Sequence, residues 1–196
     1  RNPGAIVEIG SFHGKSTVLL AHAARHAGRA RVIAIDPFNG GAKREFHAHL
    51  ERAGVQEHVD ARIATSDDVA ATWSTPIRLL WIDGGHSFEQ AGRDFRNWEP
   101  FVVPGGIFAF HDTYQWEGVR RVVDEQVIGG GRFAFAGLVD SIAAFRKVER
   151  LSPRARLNNR LIVAGRRLNW MNGRRSLPGD LRRGVKASLR AFSSTA

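Results

Sequence analysis

Residues 5–17, AIVEIGSFHGKST, decide the fold. An apolar run that contains one carboxylate, Glu8, passes through Gly10 and Gly14 into a segment that opens Lys-Ser-Thr. This pattern predicts a β-strand, a glycine turn and the first turn of an α-helix. Glycine lets a ligand approach the backbone closely, and the first N–H groups of a helix have no partner within the helix. The stretch therefore predicts a nucleotide-binding turn.

The spacing of the glycines indicates which nucleotide is bound. A dinucleotide fingerprint needs G-x-G-x-x-G, and a phosphate-binding loop needs four residues between its first glycine and Gly-Lys-[Ser/Thr]. Here three residues separate Gly10 from Gly14, and Glu8 lies two residues before the first glycine. A carboxylate at that place repels a phosphate and attracts a cation. S-adenosylmethionine, which has ammonium and sulfonium groups and no phosphate, fits this preference; another Rossmann-like protein or a plain tight turn is the alternative.

The net charge of +10 is unevenly distributed along the 196 residues. Residues 146–196 contain 14 Lys or Arg against two acidic residues, whereas residues 1–145 contain 15 basic and 17 acidic residues. A surface that follows nucleic-acid phosphates usually spreads over the fold. We therefore expect no nucleic-acid partner, and a nucleic-acid-binding protein led by its basic tail is the alternative from another class.

Cysteine usage and hydropathy indicate the compartment. The chain has no cysteine, so disulfides and thiolate metal sites are excluded. No apolar run approaches the roughly 18 residues of a membrane span, and no signal peptide is visible. These features predict a cytoplasmic protein. The chain begins with Arg1 directly before a strand, so we expect that an upstream segment is missing.

Strand and helix patterns alternate along the body of the chain. Strand-like runs occupy 5–10, 31–36, 58–65, 77–83 and 107–112, and the runs 132–138 and 141–148 form a hairpin. A helical pattern at 87–98 begins behind a candidate cap at Ser87, and 102–106 is a breaker. The pattern predicts an α/β, Rossmann-like, doubly wound and mainly parallel sheet with one antiparallel strand in the C-terminal hairpin. We expect one domain over 1–149 and a basic C-terminal extension over 150–196.

Four acidic residues stand at or just inside the ends of the predicted strands: Glu8, Asp36, Asp83 and Asp112. In open α/β sheets, ligands bind beyond the carboxyl ends of the strands. Asp36 lies 26 residues after Gly10, close to the offset expected for a carboxylate that accepts hydrogen bonds from ribose hydroxyls. A turn or helix-cap aspartate before Pro37 is the alternative.

The order of motifs resembles that of a class I S-adenosylmethionine-dependent methyltransferase. The stretches that carry this resemblance are EIGSFHGKS, VIAIDPF, ATSDDVA, LLWIDGGHSFEQAGRDFRNWEPFVVPGGIFAFHDT and GVRRVVDE, within about residues 4–148. The segment from Asp83 to Thr113 is the most specific. The chain is most similar to the metal-dependent O-methyltransferases that act on sugars, such as those of macrolide sugars. In general composition it is also similar to the actinobacterial methyltransferases of methylmannose polysaccharides.

The resemblance implies the residues that bind the cofactor. It places Glu8 and Gly10 beside the amino-acid part of S-adenosylmethionine, Asp36 beside the ribose, and Ser66 and Asp67 near the adenine. The full predicted set is Glu8, Gly10, Ser11, Gly14, Ser16, Asp36, Ser66, Asp67 and Asp83. Helix capping is the alternative role for the hydroxyls near Gly14 and for the Ser-Asp-Asp segment.

A divalent cation is expected between the fourth and fifth strands. If these strands are neighbours, their ends are about 5 Å apart, so Asp83 and Asp112 can bind one ion. Carboxylate oxygens suit Mg²⁺ or Mn²⁺. The resemblance implies a third ligand at His111, where the similar sugar enzymes usually have Glu or Asp. An imidazole there favours Mn²⁺ or Fe²⁺ over Mg²⁺, or else His111 binds no metal.

By the same resemblance, His86 is the general base, and imidazole can take a proton from a polarised hydroxyl at neutral pH.

These features predict an O-methyltransferase that acts on a sugar hydroxyl of a small-molecule or oligosaccharide acceptor; a catechol-like acceptor is the alternative. Tyr114 and Trp116 are candidates to stack on the acceptor, and a hydrophobic lid without a specific ligand is the alternative. Trp81 is expected in the core. For the basic extension, packing on the body or on a partner subunit is the first expectation, and a weak membrane-surface contact is the second. A homo-oligomer is left open.

Overall fold

The computed structural model describes residues 4–28 and 31–174. Within these residues, seven strands form one sheet: β1 (Ala5–Ile9), β2 (Val32–Ile35), β3 (Val59–Arg62), β4 (Ile77–Ile82), β5 (Val102–Phe110), β6 (Phe133–Val139) and β7 (Ile142–Lys147). Their order across the sheet is β3-β2-β1-β4-β5-β7-β6. Strands β1 to β5 are parallel, and β7 is antiparallel to both β5 and β6. The predicted Rossmann-like α/β sheet with an antiparallel strand in the C-terminal hairpin is confirmed.

In the part of the chain that the structure describes, six α-helices connect and cover the strands: α1 (Lys15–His26), α2 (Ala42–Arg52), α3 (Ser66–Ala70), α4 (Phe88–Trp98), α5 (Glu117–Arg121) and α6 (Pro153–Arg174). Short 3₁₀ helices lie at Asn39–Gly41, Gln56–His58 and Glu99–Phe101, and a π-helical segment, Val122–Ile128, continues α5. Helix α4 begins as predicted, because the Ser87 side chain accepts a hydrogen bond from Gln90 N. Over the described part of the chain, no helix has the length and apolarity needed to cross a membrane.

The core has two layers because successive side chains of a strand point to opposite faces of the sheet. Val7 and Ile9 of β1 join a cluster that includes residues of α4 and the π-helical segment. Ile6 joins a cluster that includes residues of α1 and α2. Helices therefore cover both faces of the sheet, and a cavity lies at the edge where the parallel strands end.

The helix ends before residues 102–106, as predicted, but the expectation that these residues precede the next strand was wrong, because β5 already begins at Val102. Val102 pairs with Ile77, whereas Ile107 pairs with Leu79, so the extra residues of β5 form an irregularity opposite β4. A bulge of this kind tolerates the proline and glycines that a regular central strand excludes. The hairpin turn also lies one residue later than predicted, at Asp140 and Ser141.

The start of the predicted C-terminal extension packs on the sheet through α6. Asn159 is buried; its amide donates to Phe133 O at 2.6 Å and accepts from Phe135 N at 3.0 Å. Ile162, one turn further, belongs to the core. Residues 175–196 of this extension lie outside the described part of the chain, and the division at 149 stays a prediction.

Candidate active site

The ends of β1, β2, β4 and β5 are joined by backbone hydrogen bonds at one edge of the sheet. Gly10 N donates to Ile35 O at 2.9 Å, and Asp83 N donates to Ile9 O at 2.9 Å. His111 N donates to Ile82 O at 3.0 Å. Gly10 has φ +84°, and a Cβ there would lie 2.2 Å from the Asp83 carbonyl oxygen. Only glycine therefore fits where these strand ends approach each other.

A cavity of about 570 Å³ lies beyond these strand ends. It brings together eight of the predicted site residues: Gly10, Asp36, Ser66, Asp67, Asp83, His86, His111 and Asp112. Four predicted cofactor-binding residues do not line it, namely Glu8, Ser11, Gly14 and Ser16. The cavity therefore joins the predicted nucleoside site to the predicted metal and base residues.

Asp36 fixes the turn after β2 and also faces the cavity. Its Oδ1 accepts a hydrogen bond from Phe38 N at 2.6 Å, and its Oδ2 accepts one from Phe12 N at 2.9 Å. The turn role raised from the sequence is therefore present. Each carboxylate oxygen can accept a further bond, so these contacts leave acceptor capacity for a ribose.

Glu8 lies beneath the glycine turn and is fully buried. Its Oε2 accepts hydrogen bonds from Ser11 Oγ at 3.0 Å and from Thr17 Oγ1. The other oxygen, Oε1, has no hydrogen-bond partner among the described residues. The helix caps suggested for these hydroxyls were wrong, because Gly14 is the N-cap of α1 and its cap has no side-chain hydrogen bond. The hydroxyls instead stabilise a buried carboxylate that keeps one oxygen for another donor.

Burial raises the pKa of Glu8 above its ordinary value of 4.5, although hydrogen bonds from neighbouring hydroxyls oppose the shift. The folded state then holds a proton that the unfolded state releases, so stability falls as the pH rises above 4.5 toward the folded-state pKa. We expect Glu8→Gln, which keeps an acceptor oxygen, to remove this loss. The gain is about 1.4 kcal/mol for each unit by which the folded pKa exceeds 4.5.

The measurement is thermal unfolding of both proteins between pH 4 and about pH 8. The advantage of Glu8→Gln over the wild type should grow with pH. Glu57→Gln is the matched control, since Glu57 is mostly exposed. A difference between Glu8→Gln and wild type that does not change with pH would contradict the expected ionisation of Glu8.

Ser66 and Asp67 form the wall of the cavity next to α4. Ser66 Oγ accepts a hydrogen bond from Trp98 Nε1 at 2.8 Å. Asp67 accepts one from Asn97 Nδ2 at 2.9 Å and forms an ion pair with Arg93 at 3.1 Å. The N-cap of α3 is Thr65, not the Ser-Asp-Asp segment, because the Thr65 side chain accepts from the backbone of that segment. The expected cap was therefore displaced by one residue.

A cluster of two carboxylates and two imidazoles occupies the other end of the cavity. His111 Nδ1 lies 3.1 Å from Asp83 Oδ1 and 3.1 Å from Asp112 Oδ1. His86 Nε2 lies 3.1 Å from Asp112 Oδ2. One ligand atom each from Asp83, His86 and Asp112 lie within 4.8 Å of one another. Both histidines thus lie beside the carboxylates. His86, predicted as a base, is therefore also placed where it could bind the same metal ion as Asp83 and Asp112.

The charges of the cluster fit a cation. Burial raises the pKa of Asp83, His111 lowers it, and Asp112 raises it. Two partly buried carboxylates at this separation repel each other, and a divalent cation between them removes that repulsion. The donor set of carboxylate oxygens and imidazole nitrogens fits Mn²⁺, and the carboxylates fit Mg²⁺.

Trp116 packs against His86 at the edge of the site. The two rings are stacked, with centroids 4.7 Å apart and planes 8° apart, and Trp116 is 50% exposed. The loop that carries Trp116 packs closely on the loop that carries His86, since a Cβ at Gly118 would lie 2.4 Å from His86 O. The stack fixes the plane of the His86 ring at the edge of the site.

Sequence reasoning missed three residues of the site. Ser141 Oγ lies 3.3 Å from His111 Nε2, and Ser141 O accepts hydrogen bonds from Thr113 N and Thr113 Oγ1. Trp81, expected in the core, stacks against His111 with centroids 6.2 Å apart. Asp94 lines the cavity, and burial raises its pKa. An acidic residue on the buried side of α4 was the one signal in the sequence that pointed to Asp94.

The curated proteins that match this chain include two relatives that it covers to different extents. An uncharacterized protein of Sinorhizobium fredii is 27% identical over 120 residues, which cover 57% of this chain but 13% of the relative. A catechol O-methyltransferase of Mycobacterium tuberculosis is 26% identical over 166 residues, which cover 84% of this chain and 67% of the relative. The chain thus spans only a small part of the first relative and about two thirds of the second.

Solved structures show the same fold. CalS11, a TDP-rhamnose 3'-O-methyltransferase of calicheamicin biosynthesis, is 21% identical with a TM-score of 0.55, over 74% of this chain and 71% of that chain. An O-methyltransferase from Bacillus cereus, solved in complex with SAH, is 20% identical with a TM-score of 0.57, over 73% of this chain and 74% of that chain. A family model described as a methyltransferase domain matches residues 7–113, which is more than half of the chain. The chain therefore belongs to the methyltransferase domain family, which confirms the methyltransferase family predicted from the order of motifs.

Proposed function

We propose that the protein is an O-methyltransferase that uses S-adenosylmethionine and a divalent cation to methylate a sugar hydroxyl. The observation that carries the proposal is the position of Asp83, His86 and Asp112, whose ligand atoms lie within 4.8 Å of one another. These residues share one cavity with Asp36, the predicted ribose ligand. A methyl donor and an activated hydroxyl can therefore meet in a single site.

The cofactor half of the proposal is supported by unsatisfied polar groups beside the glycine turn. Asp36 lines the cavity and has acceptor capacity for the ribose hydroxyls. Glu8, buried behind the lining, keeps Oε1 without a partner among the described residues, beneath the place proposed for the ammonium group of S-adenosylmethionine. Ser66, Asp67 and the buried Asp94 form the polar wall proposed for the adenine. The predicted cofactor-binding residues that do not line the cavity stabilise Glu8 and the glycine turn instead; they are Ser11, Gly14 and Ser16.

The methyl transfer itself is a displacement at carbon. A bond forms between the acceptor oxygen and the methyl carbon, and the S–CH₃ bond breaks with its electron pair left on sulfur, which gives the neutral thioether. The His86 imidazole takes the hydroxyl proton, and the Asp112 carboxylate, 3.1 Å from Nε2, stabilises the imidazolium that results. Much of the rate comes from alignment of the three reacting atoms.

Asp83 and Asp112 would hold the divalent cation, with His111, whose Nδ1 lies 3.1 Å from an oxygen of each, as the predicted third ligand. When bound, the cation would supply Lewis-acid activation of the acceptor hydroxyl. Ser141 is a positioning residue, because its hydroxyl contacts His111 Nε2 and leaves Nδ1 directed at the two carboxylates. Such contacts behind a ligand typically change metal affinity about 10- to 100-fold when removed.

The acceptor class rests on the half-exposed face of Trp116 and on the cation site. A sugar presents two adjacent oxygens to a cation and an apolar C–H face to an aromatic ring. A catechol-like acceptor presents the same pair of oxygens on a flat ring and is the second candidate. It is favoured by the 26% identity to a protein named catechol O-methyltransferase.

The test is to incubate the protein with S-adenosylmethionine and Mn²⁺ and to offer a panel of methyl glycosides with adjacent hydroxyls, and catechol separately. We expect mass spectrometry to find a monomethylated glycoside and EDTA to abolish its formation. Methylation of catechol but of no glycoside would replace the sugar with the second candidate. Methylation that EDTA leaves unchanged would overturn the role of the metal.

A further inference from the structure

We infer that the outer face of α6 binds the surface of an anionic lipid bilayer. The outer face consists of Arg154, Leu157, Arg160 and Leu161. Leu157 and Leu161, one helical turn apart, are 59% and 50% exposed, and both arginines are exposed. This inference is independent of the acceptor and of the metal.

The orientation of α6 is fixed by its inner side. Asn159 makes two hydrogen bonds to the backbone of β6, and Ile162 is buried in the core. At 100° per residue, Asn159 lies about 160° from both leucines, whereas Ile162 lies about 140° from Leu157 and about 100° from Leu161. The contacts of Asn159 and Ile162 with the rest of the fold therefore keep both leucines exposed to solvent.

The charge around the leucines selects the partner. Arg154 and Arg160 lie on either side of the two leucines, about 60° from Leu157 in each direction. Residues 150–174 contain seven arginines and no acidic residue. A second copy of this face would bring like charges together, which disfavours self-association through it. An anionic bilayer instead offers phosphates to the guanidinium groups and an acyl boundary to the leucines.

Binding through this face leaves the active site open. Asn159 contacts Phe133 and Phe135 at the beginning of β6, and β6 runs in the same direction as β5. The cavity lies at the opposite edge, where β5 ends before His111 and Asp112. A bilayer on the outer face and an acceptor in the cavity therefore do not compete for the same surface.

The test is sedimentation of the full chain with phosphatidylcholine vesicles, with and without phosphatidylglycerol. We expect binding to be at least about tenfold tighter with phosphatidylglycerol and to weaken as salt is raised. The double variant Leu157→Gln, Leu161→Gln should lose about tenfold in this affinity, because the buried apolar area is removed while every arginine stays. Leu19→Gln, at an exposed leucine of α1, is the matched control and should bind as the wild type does.

Other outcomes would overturn the inference. Equal binding to both vesicle types would remove the electrostatic part, and unchanged binding of the double variant would show that the leucines are not in the interface. A dimer in analytical ultracentrifugation that dissociates in the double variant would make a second copy the partner. Thermal unfolding of each variant shows whether the fold is retained, and Arg154→Gln, Arg160→Gln tests the charges separately, with weaker salt dependence expected.

Discussion

Replacing Asp112 by asparagine is expected to lower methyl transfer by at least about 100-fold and to weaken Mn²⁺ binding, with little change in cofactor affinity. Asparagine keeps an oxygen at this place but removes the negative charge that a divalent cation needs. Metal stabilisation of a reacting oxygen is worth several kcal/mol, and about 1.4 kcal/mol is a factor of ten in rate. The measurements are Mn²⁺ affinity, cofactor affinity and turnover of the best acceptor from the glycoside panel.

The backbone at this position supplies the control. Asp112 has φ +57°, a left-handed conformation that asparagine adopts readily, so the variant should fold normally. Asp140, in the β6–β7 turn, has φ +51° and is exposed. Asp140→Asn therefore repeats the same chemical change at the same backbone conformation outside the cluster. Full turnover and full Mn²⁺ affinity in Asp112→Asn, or equal losses in both variants, would rule out the proposed cation site.

Replacing His86 by glutamine is expected to lower turnover by about 100- to 10,000-fold, the usual contribution of a general base. Glutamine can still donate a hydrogen bond to Asp112, so the polar contact survives while the basic nitrogen is lost. The measurements are turnover and Mn²⁺ affinity, both at one pH.

The ratio of the two losses separates base from ligand. A base leaves Mn²⁺ affinity within about threefold of the wild type, whereas loss of a metal ligand lowers affinity and turnover together. Equal losses would assign His86 to the metal, a role that its position beside Asp83 and Asp112 permits. His26→Gln, at an exposed position in the last turn of α1, is the matched control and should change neither quantity.

The cation site was predictable because its residues follow directly from strand order. Asp83 comes one residue after β4 and Asp112 two residues after β5, and neighbouring parallel strands end at the same edge. The apolar strand runs also predicted all seven strands, since hydrophobic periodicity is a local signal. The residues that could be predicted from the sequence are therefore those that directly follow the end of a strand.

The residues that were missed come from contacts between distant parts of the chain. Ser141 and His111 are thirty positions apart in the sequence, and they are in contact because β7 pairs with β5. Asp94 was hidden because the apolar periodicity of α4 describes its buried side as a core surface, whereas part of that side faces the cavity. The cap of α3 at Thr65 lies one residue before the expected position, and sequence patterns do not locate the start of a helix to within one residue.

The most direct test of the central claim is a calorimetric titration of the protein with S-adenosylmethionine, once with Mn²⁺ and once with EDTA. Glu8, Asp36 and the polar wall of the cavity belong to the cofactor half of the site, so we predict saturable binding of one cofactor per chain in both titrations. Methyl transfer to the acceptor should appear only in the sample with Mn²⁺. Absence of cofactor binding in both titrations would contradict the account.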